Sequence, residues 1–278
     1  MNFFKLQATG NDFILIDARR MKRDWSALAR DMCHRHFGIG ADGLLLVLPS
    51  KVADFFLRMF NPDGSEAEAC GNGLRCAAKY ATESGLANSA ELKVETPAGI
   101  RAVRTGVGKD IQVAMGKPIF APAAVPVLVE RRDSLDATPV VDYPIIVGGK
   151  NLKITCVSMG NPHAVSFLDQ PVANFPLAEI GPKMEHHPMF PNRVNFEVVN
   201  VVSRGELRAR VWERGAGETL SCGTGACAIA VASRLKGLIG SHVDIILTGG
   251  TLTVDWDGTG EVFLSGPAEV VFHGEWKD

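Results

Sequence analysis

No apolar run in this sequence is long enough to cross a bilayer. The longest, near Leu44–Leu48, falls far short of the roughly 20 residues a spanning helix needs. The start, MNFFKLQATGNDF, lacks the apolar core of a signal peptide. No stretch crowds Lys and Arg together with aromatics between them, and 29 basic residues against 31 acidic leave a formal charge of −2. Neither a nucleic-acid partner nor a membrane surface is expected on that balance. The C-x-x-C spacing of thioredoxin-like redox chemistry is absent. The spacings that do occur, C-x5-C at Cys70/Cys76 and C-x4-C at Cys222/Cys227, lie outside the tight pattern of most structural zinc sites. These absences lead to the expectation of a cytoplasmic chain with neither a structural zinc site nor thioredoxin-like redox chemistry.

What is present is ordinary globular composition: 278 residues, 46% hydrophobic and 22% charged, enough for one large domain or two of medium size. Six cysteines occur, and in a cytosolic chain a disulfide framework is not expected. Cys33, Cys76, Cys156 and Cys227 read as small buried hydrophobes. Cys70 and Cys222 read differently, because the sequence around them occurs twice. Cys70 opens CGNGLRCAAKYA and Cys222 opens CGTGACAIAVAS. Phe60 and Trp212 each lie ten residues upstream of their cysteine, and Glu66 and Glu218 each lie four upstream, placed to brace the loops before them. GND at Gly10–Asp12 pairs with GNP at Gly160–Pro162. Pro97–Gly99 pairs with Gly249–Gly250, and MGKP at 115–118 with LSGP at 264–267. Landmarks recurring in order with near-equal spacing argue for two similar halves.

Apolar or alternating runs predict seven strands in the first half, between Phe3 and Met115, and eight in the second, between Ile145 and Leu264. Helices are predicted at Trp25–His36, Gly71–Glu83, Leu177–His186 and Gly223–Lys236. Many strands with few helices give no regular βαβ rhythm. The predicted class is α+β, two pseudo-symmetric domains, each a mixed, mostly antiparallel sheet wrapped on a central helix. The expected boundaries are 1–118, with 266–278 returning to it, and 119–265; the Pro-rich Lys117–Pro126 has a linker's composition. GIGADG at 38–43 spells G-x-G-x-x-G, but a helix precedes it and a strand follows, the wrong context for a dinucleotide site.

Both Cys-Gly-x-Gly motifs stand where a loop becomes an apolar helix. A helix N-terminus carries about half a positive charge and unpaired N–H groups. A thiol there is expected to have its pKa lowered toward neutrality, and glycine lets a substrate carboxylate approach closely. Two such half-sites suit inversion of a stereocentre, which needs a base on one face of a carbon and an acid on the other.

The motifs GND at 10–12, NPDGSEAEACGNGLRC at 61–76, GNPH at 160–163, RVNF at 193–196 and ERGAGETLSCGTGAC at 213–227 resemble diaminopimelate epimerase, in order and spacing, from the N-terminus to about Pro267. The resemblance implies interconversion of LL- and meso-2,6-diaminoheptanedioate without pyridoxal phosphate or metal, for lysine and cell-wall synthesis, by a homodimer with a small-molecule substrate. It implies that Cys70 and Cys222 are the acid/base pair. Gly71 and Asn72, with Gly223 and Thr224, would hold the reacting carboxylate. Asn11, Asn61, Asn161, Asn195 and Arg214 would recognise the distal end. His163 and Glu213 would take the reacting ammonium or tune the thiols. Where many members carry a Gln after GIGAD, this chain has Gly43, whose repeat mate is Asn195; a distal contact is in doubt there. His186 and His187 read as surface, and Asp12 as a turn residue. A proline or hydroxyproline racemase of the same architecture is the nearest rival, and a non-catalytic thiol redox or metal-binding protein is the next.

Overall fold

The computed structural model describes residues 1–67, 70–107, 110–129 and 138–277. Glu68 and Ala69, in the acidic stretch before the first cysteine, lie outside them. The chain forms two compact units, Met1–Ala114 with Ser265–Asp278, and Met115–Leu264. Among the described residues no helix is long and apolar enough to cross a membrane.

The first unit runs β1 (Asn2–Ala8), β2 (Asn11–Asp17), α1 (Trp25–Cys33), β3 (Gly43–Leu48), β4 (Phe55–Phe60), β5 (Glu66–Ala67), α2 (Gly71–Glu83), β6 (Glu91–Thr96), β7 (Gly99–Val107) and β8 (Asp110–Gly116). The second runs β9 (Tyr143–Val147), β10 (Lys150–Ser158), β11 (Pro162–Phe167), a 3-10 turn at Val172–Asn174, α3 (Leu177–Glu185), β12 (Asn195–Ser203), β13 (Glu206–Glu213), β14 (Gly217–Thr219), α4 (Gly223–Leu235), β15 (His242–Leu247), β16 (Gly250–Asp255) and β17 (Val262–Gly266). The last strand, β18 (Glu269–Glu275), pairs antiparallel with β1.

The pairing scheme repeats strand for strand. In the first unit β2 lies parallel to β3, β3 antiparallel to β4, and β4 parallel to β6. In the second, β11 lies parallel to β12, β12 antiparallel to β13, and β13 parallel to β15. Register repeats as well. Phe13 faces Gly43 as His163 faces Asn195, and Leu44 faces Phe60 as Phe196 faces Trp212. Each sheet has a helix on both faces, which explains why β3 reads as an unbroken apolar run rather than alternating. Leu44 and Leu46 pack with α1, while Leu45 turns to α2. In the second unit Phe196 and Val198 join the core beneath α3, while Val199 and Val211 join the core around α4. Nearly every position of α2 and α4 is buried.

The structure departs from expectation in a few places. The first helix stops at Cys33 rather than His36, because Ile39 and Gly40 N–H turn back onto the Met32 carbonyl. The Pro-rich stretch expected as a linker falls inside the second unit, where Ile119 exchanges backbone hydrogen bonds with Ser158 and Val125 is fully buried. The pairs Arg58–Glu66 and Arg210–Glu218 close the hairpins before each cysteine with twin forks of about equal length, 2.7 and 2.8 Å against 2.7 and 2.9 Å.

Candidate active site

Each cysteine is the N-cap of its helix. Cys70 Sγ accepts the Gly73 N–H at 3.3 Å, and Cys222 Sγ accepts the Gly225 N–H at 3.4 Å, sulfur standing where a Ser or Asp oxygen usually does. The glycine at the third helical position is needed for closeness. A Cβ on Gly73 would meet Leu45 at 3.2 Å and Cys70 Sγ at 3.6 Å; one on Gly225 would meet Glu197 Oε1 at 3.2 Å and Cys222 Sγ at 3.4 Å.

Around Cys70 the first unit gathers Gly71, Asn72 and Asn11. Asn72 Nδ2 donates to Asn11 Oδ1 at 3.2 Å, and Asn11 Nδ2 donates to Asp42 Oδ2 at 2.7 Å. Asn72 Oδ1 in turn accepts from the fully buried Arg75, whose guanidinium also reaches Thr9 Oγ1 and the Pro267 carbonyl. Thr9 sits at φ 48° beside Gly10 at φ 85°, a backbone region costly for a β-branched residue, so the Asn11 turn is held by its surroundings. Asn61 heads the β4–β5 turn, its amide donating to Ser65 Oγ at 2.9 Å. Asp12 anchors the Asn11 turn, paired with Lys5 and Arg35. Burial pushes its carboxyl up, but hydrogen bonds from Arg35 and Lys5 outweigh it and bring it down to about 2. At Gly43 a side chain would fit tightly: a Cβ there would lie 3.0 Å from the Phe60 carbonyl oxygen and 3.4 Å from the Phe13 ring.

Around Cys222 the second unit gathers Thr224, Asn161 and His163. Thr224 Oγ1 lies 3.5 Å from Cys222 Sγ and accepts from Asn161 Nδ2 at 3.3 Å. His163 is fully buried, Nε2 at 2.9 Å from Asn161 Oδ1 and Nδ1 at 2.7 Å from Glu197 Oε1. Glu213 accepts from Thr219 Oγ1 at 2.6 Å and lies near enough to Cys222 to act on its charge. Asn195 donates to the Pro162 carbonyl and accepts the Arg214 N–H, both at 2.9 Å, so its amide fastens β11 to the Arg214 turn. The Arg214 side chain is exposed, resting one nitrogen on the Asn192 carbonyl at 3.1 Å.

The expectation of a lowered thiol pKa fails for Cys222. Burial pushes this thiol well above its ordinary value, and the Glu213 and Glu197 carboxylates push the same way; the Thr224 hydroxyl and the Gly225 N–H pull against them and lose. The sequence shows a helix start but not that Cys222 is only 5% exposed with two carboxylates near it. The remaining four cysteines are buried, and burial pushes the Cys33 thiol to about 12.

Two carboxylates at the site escaped sequence reasoning. Glu197 was hidden in an apolar strand. Glu185, at the end of α3, accepts the Gly215 N–H at 2.9 Å and the Trp212 indole N–H at 2.8 Å, and so pins the turn that carries Arg214. Glu197 had a findable signal: a charge at an inward strand position, two residues beyond Asn195.

Solved structures share the architecture. A phenazine biosynthesis protein of the PhzF family from Bacillus anthracis is 19% identical with a TM-score of 0.69, covering 100% of this chain and 99% of that one. A hydroxyproline epimerase from Agrobacterium vitis, with bound trans-4-hydroxy-L-proline, is 16% identical with a TM-score of 0.68, covering 99% and 91%. Likeness at that identity defines the α+β fold class alone. The family model for diaminopimelate epimerase matches residues 3–121 and 155–271, and the chain belongs to that family of isomerases. A diaminopimelate epimerase from Acetivibrio thermocellus is 48% identical over 99% of this chain and 98% of that protein, and one from Methanococcus maripaludis is 44% identical over 99% of each.

Proposed function

We propose that the protein interconverts LL- and meso-diaminopimelate by moving one α-proton between two thiols. The observation that carries this reading is the duplicated cap: in each unit a cysteine sulfur sits at the start of a buried helix, fixed by the N–H of the third residue. One sulfur, as thiolate, takes the α-proton and leaves a planar carbanion. The other, as thiol, gives its proton to the opposite face. The two sulfurs exchange protonation states, so no cofactor is consumed.

The first-turn N–H groups of a helix have no intrahelical carbonyl to bond. Those of Gly71 and Asn72, and of Gly223 and Thr224, are assigned to the reacting carboxylate, where their partial positive charge also stabilises the carbanion. His163 and Glu213 are assigned to the ammonium and to the thiol's protonation. Asn11, Asn61, Asn161 and Asn195 are assigned to the distal amino-acid end, Asn195 through the Arg214 turn, and Arg214 to its carboxylate, which a guanidinium grips bidentately. That distal set disfavours a proline racemase, whose substrate has nothing there to bind. The family also implies a cytoplasmic homodimer.

Incubation in D2O tests the reading. Diaminopimelate, and not proline, gains deuterium at its α-carbon, and Cys70→Ala or Cys222→Ala stops epimerisation. Turnover of proline instead, or epimerisation surviving either substitution, would overturn it.

A further inference from the structure

The buried Glu197–His163 pair has no counterpart in the first unit. By strand register, the place of His163 is held there by Phe13, that of Asn195 by Gly43, and that of Glu197 by Leu45. Leu45 and Glu197 do the same packing job: each is the side chain against the third-position glycine of the cysteine-capped helix. A leucine fills that place in one unit, so the scaffold has no steric need for a carboxylate in the other. Burying one is unfavourable. Glu197 is fully buried, and its Oε2 has no hydrogen-bond partner among the described residues. A group kept at such cost, one glycine away from a reactive sulfur, is a candidate for a part in the chemistry.

The setting of His163 is constrained. It has an oxygen on each side, Asn161 Oδ1 at 2.9 Å and Glu197 Oε1 at 2.7 Å, so the ring cannot turn without losing both contacts. The charged and polar groups facing Cys222 are Glu197 on β12, Glu213 on β13 and Thr224 on its own helix, with His163 on β11 reaching it through Glu197. The carboxylate on α3, Glu185, is occupied with Trp212 and Gly215.

Building on the reading of Cys222 as one of the two acid/base thiols, we propose that Glu197 is a positioning residue that orients His163 and holds Cys222 in its thiol form at rest. The second half-site then begins a turnover carrying the proton to be given. The direction in which burial and carboxylates push this thiol agrees with that assignment.

The test needs no substrate. Resting protein is alkylated with iodoacetamide across a pH series, and the modification of Cys70 and Cys222 is read separately by peptide mass spectrometry. Glu197→Gln keeps the shape and removes the charge; Glu197→Leu copies the first unit. In both, the midpoint for Cys222 should move down by about one pH unit, while the Cys70 profile stays as an internal control. A role in packing alone would alter melting temperature and leave the Cys222 midpoint in place. A midpoint in Glu197→Gln that is unchanged, or that moves upward, overturns the proposal. Because the readout is thiol chemistry, a wild-type protein that fails to epimerise diaminopimelate but shows the shift would defeat the functional reading and leave this one standing.

Discussion

The two units share a scaffold and differ in what they place beside the sulfur. Strand order, register, cap geometry and even the Arg–Glu fork before each cysteine recur. The lining does not. Cys70 sits among Leu45, Met59 and the Asn72–Arg75 network, with Met59 Sδ 4.0 Å from its sulfur. Cys222 sits among Glu197, Glu213, Thr224 and, one bond further, His163. An epimerase built from two identical half-sites would give both thiols the same proton affinity. A two-base reaction instead needs one thiol and one thiolate at every moment, and on the proposal made above the carboxylate of Glu197 biases the Cys222 half-site toward the thiol.

The largest effect should come from the sulfurs. Cys70→Ala and Cys222→Ala should each lower kcat for epimerisation by at least about 10³-fold, because positioned proton transfer is lost outright. Measured as α-proton exchange, equal losses would show that both units are needed; a Cys70→Ala variant retaining full rate would break the pairing. Next in size is Arg75, whose mirror position is the core residue Cys227. Arg75→Met would leave the Asn72, Thr9 and Pro267 oxygens without these donors. The expected cost is about 3 kcal/mol, the desolvation of buried acceptors, seen as a lowered urea midpoint. Cys227→Ser should cost less than half of that.

Much of this was legible before any coordinates. The duplicated Cys-Gly-x-Gly predicted α2 and its mate α4 to within a residue, and all fifteen expected strands are present, because two-faced burial leaves long apolar runs. The strands missed were those that bury little. β5 and β14 are hairpin arms of two and three residues, and β18, EVVFHGE, is largely exposed, so period-2 alternation never shows. At the candidate site, motif reading picks out residues in the loops before α2 and α4 and at the starts of those helices. It missed Glu197, which looks like a strand residue until its counterpart in the first unit, Leu45, is compared with it. It also gave the wrong direction for the Cys222 thiol, since helix-start polarity is local in sequence while burial and the Glu197 and Glu213 charges are brought by β12 and β13.

A smaller effect separates the units in acid. Asp12 is salt-bridged to Lys5 and Arg35, and its mirror residue is Pro162. Its carboxyl lies at about 2 when folded, below the ordinary 3.8. A depressed carboxyl contributes stability that is complete above about pH 4 and is lost as the pH falls through about 2. Asp12→Asn should therefore cost on the order of 1–2 kcal/mol at pH 7, and its stability should fall less steeply than wild type as the pH drops from 4 toward 2. Urea midpoints at pH 7, 4 and 3 check this; parallel curves would show that the Asp12 cluster has no linkage to folding.

The smallest effect is also the closest comparison, because the twin forks have nearly identical geometry. Among the described residues Arg58 donates to Glu66 alone, and the pair is substantially exposed, at 29% and 40% of side-chain surface. Arg210 serves Glu218 and also donates to the Val172 and Phe175 carbonyls, tying the 3-10 turn before α3 to β13. Exposed ion pairs contribute only about 0.2–1 kcal/mol, so Glu66→Gln and Glu218→Gln should both fall in that range and should match each other. The difference should appear on the arginine side. Arg58→Lys should cost about as much as Glu66→Gln. Arg210→Lys should cost about 1 kcal/mol more, since a lysine cannot span a carboxylate and two carbonyls at once. Equal losses for the two arginines would mean that the fork, and not the turn it fastens, is what the second unit's Arg210 is there to hold.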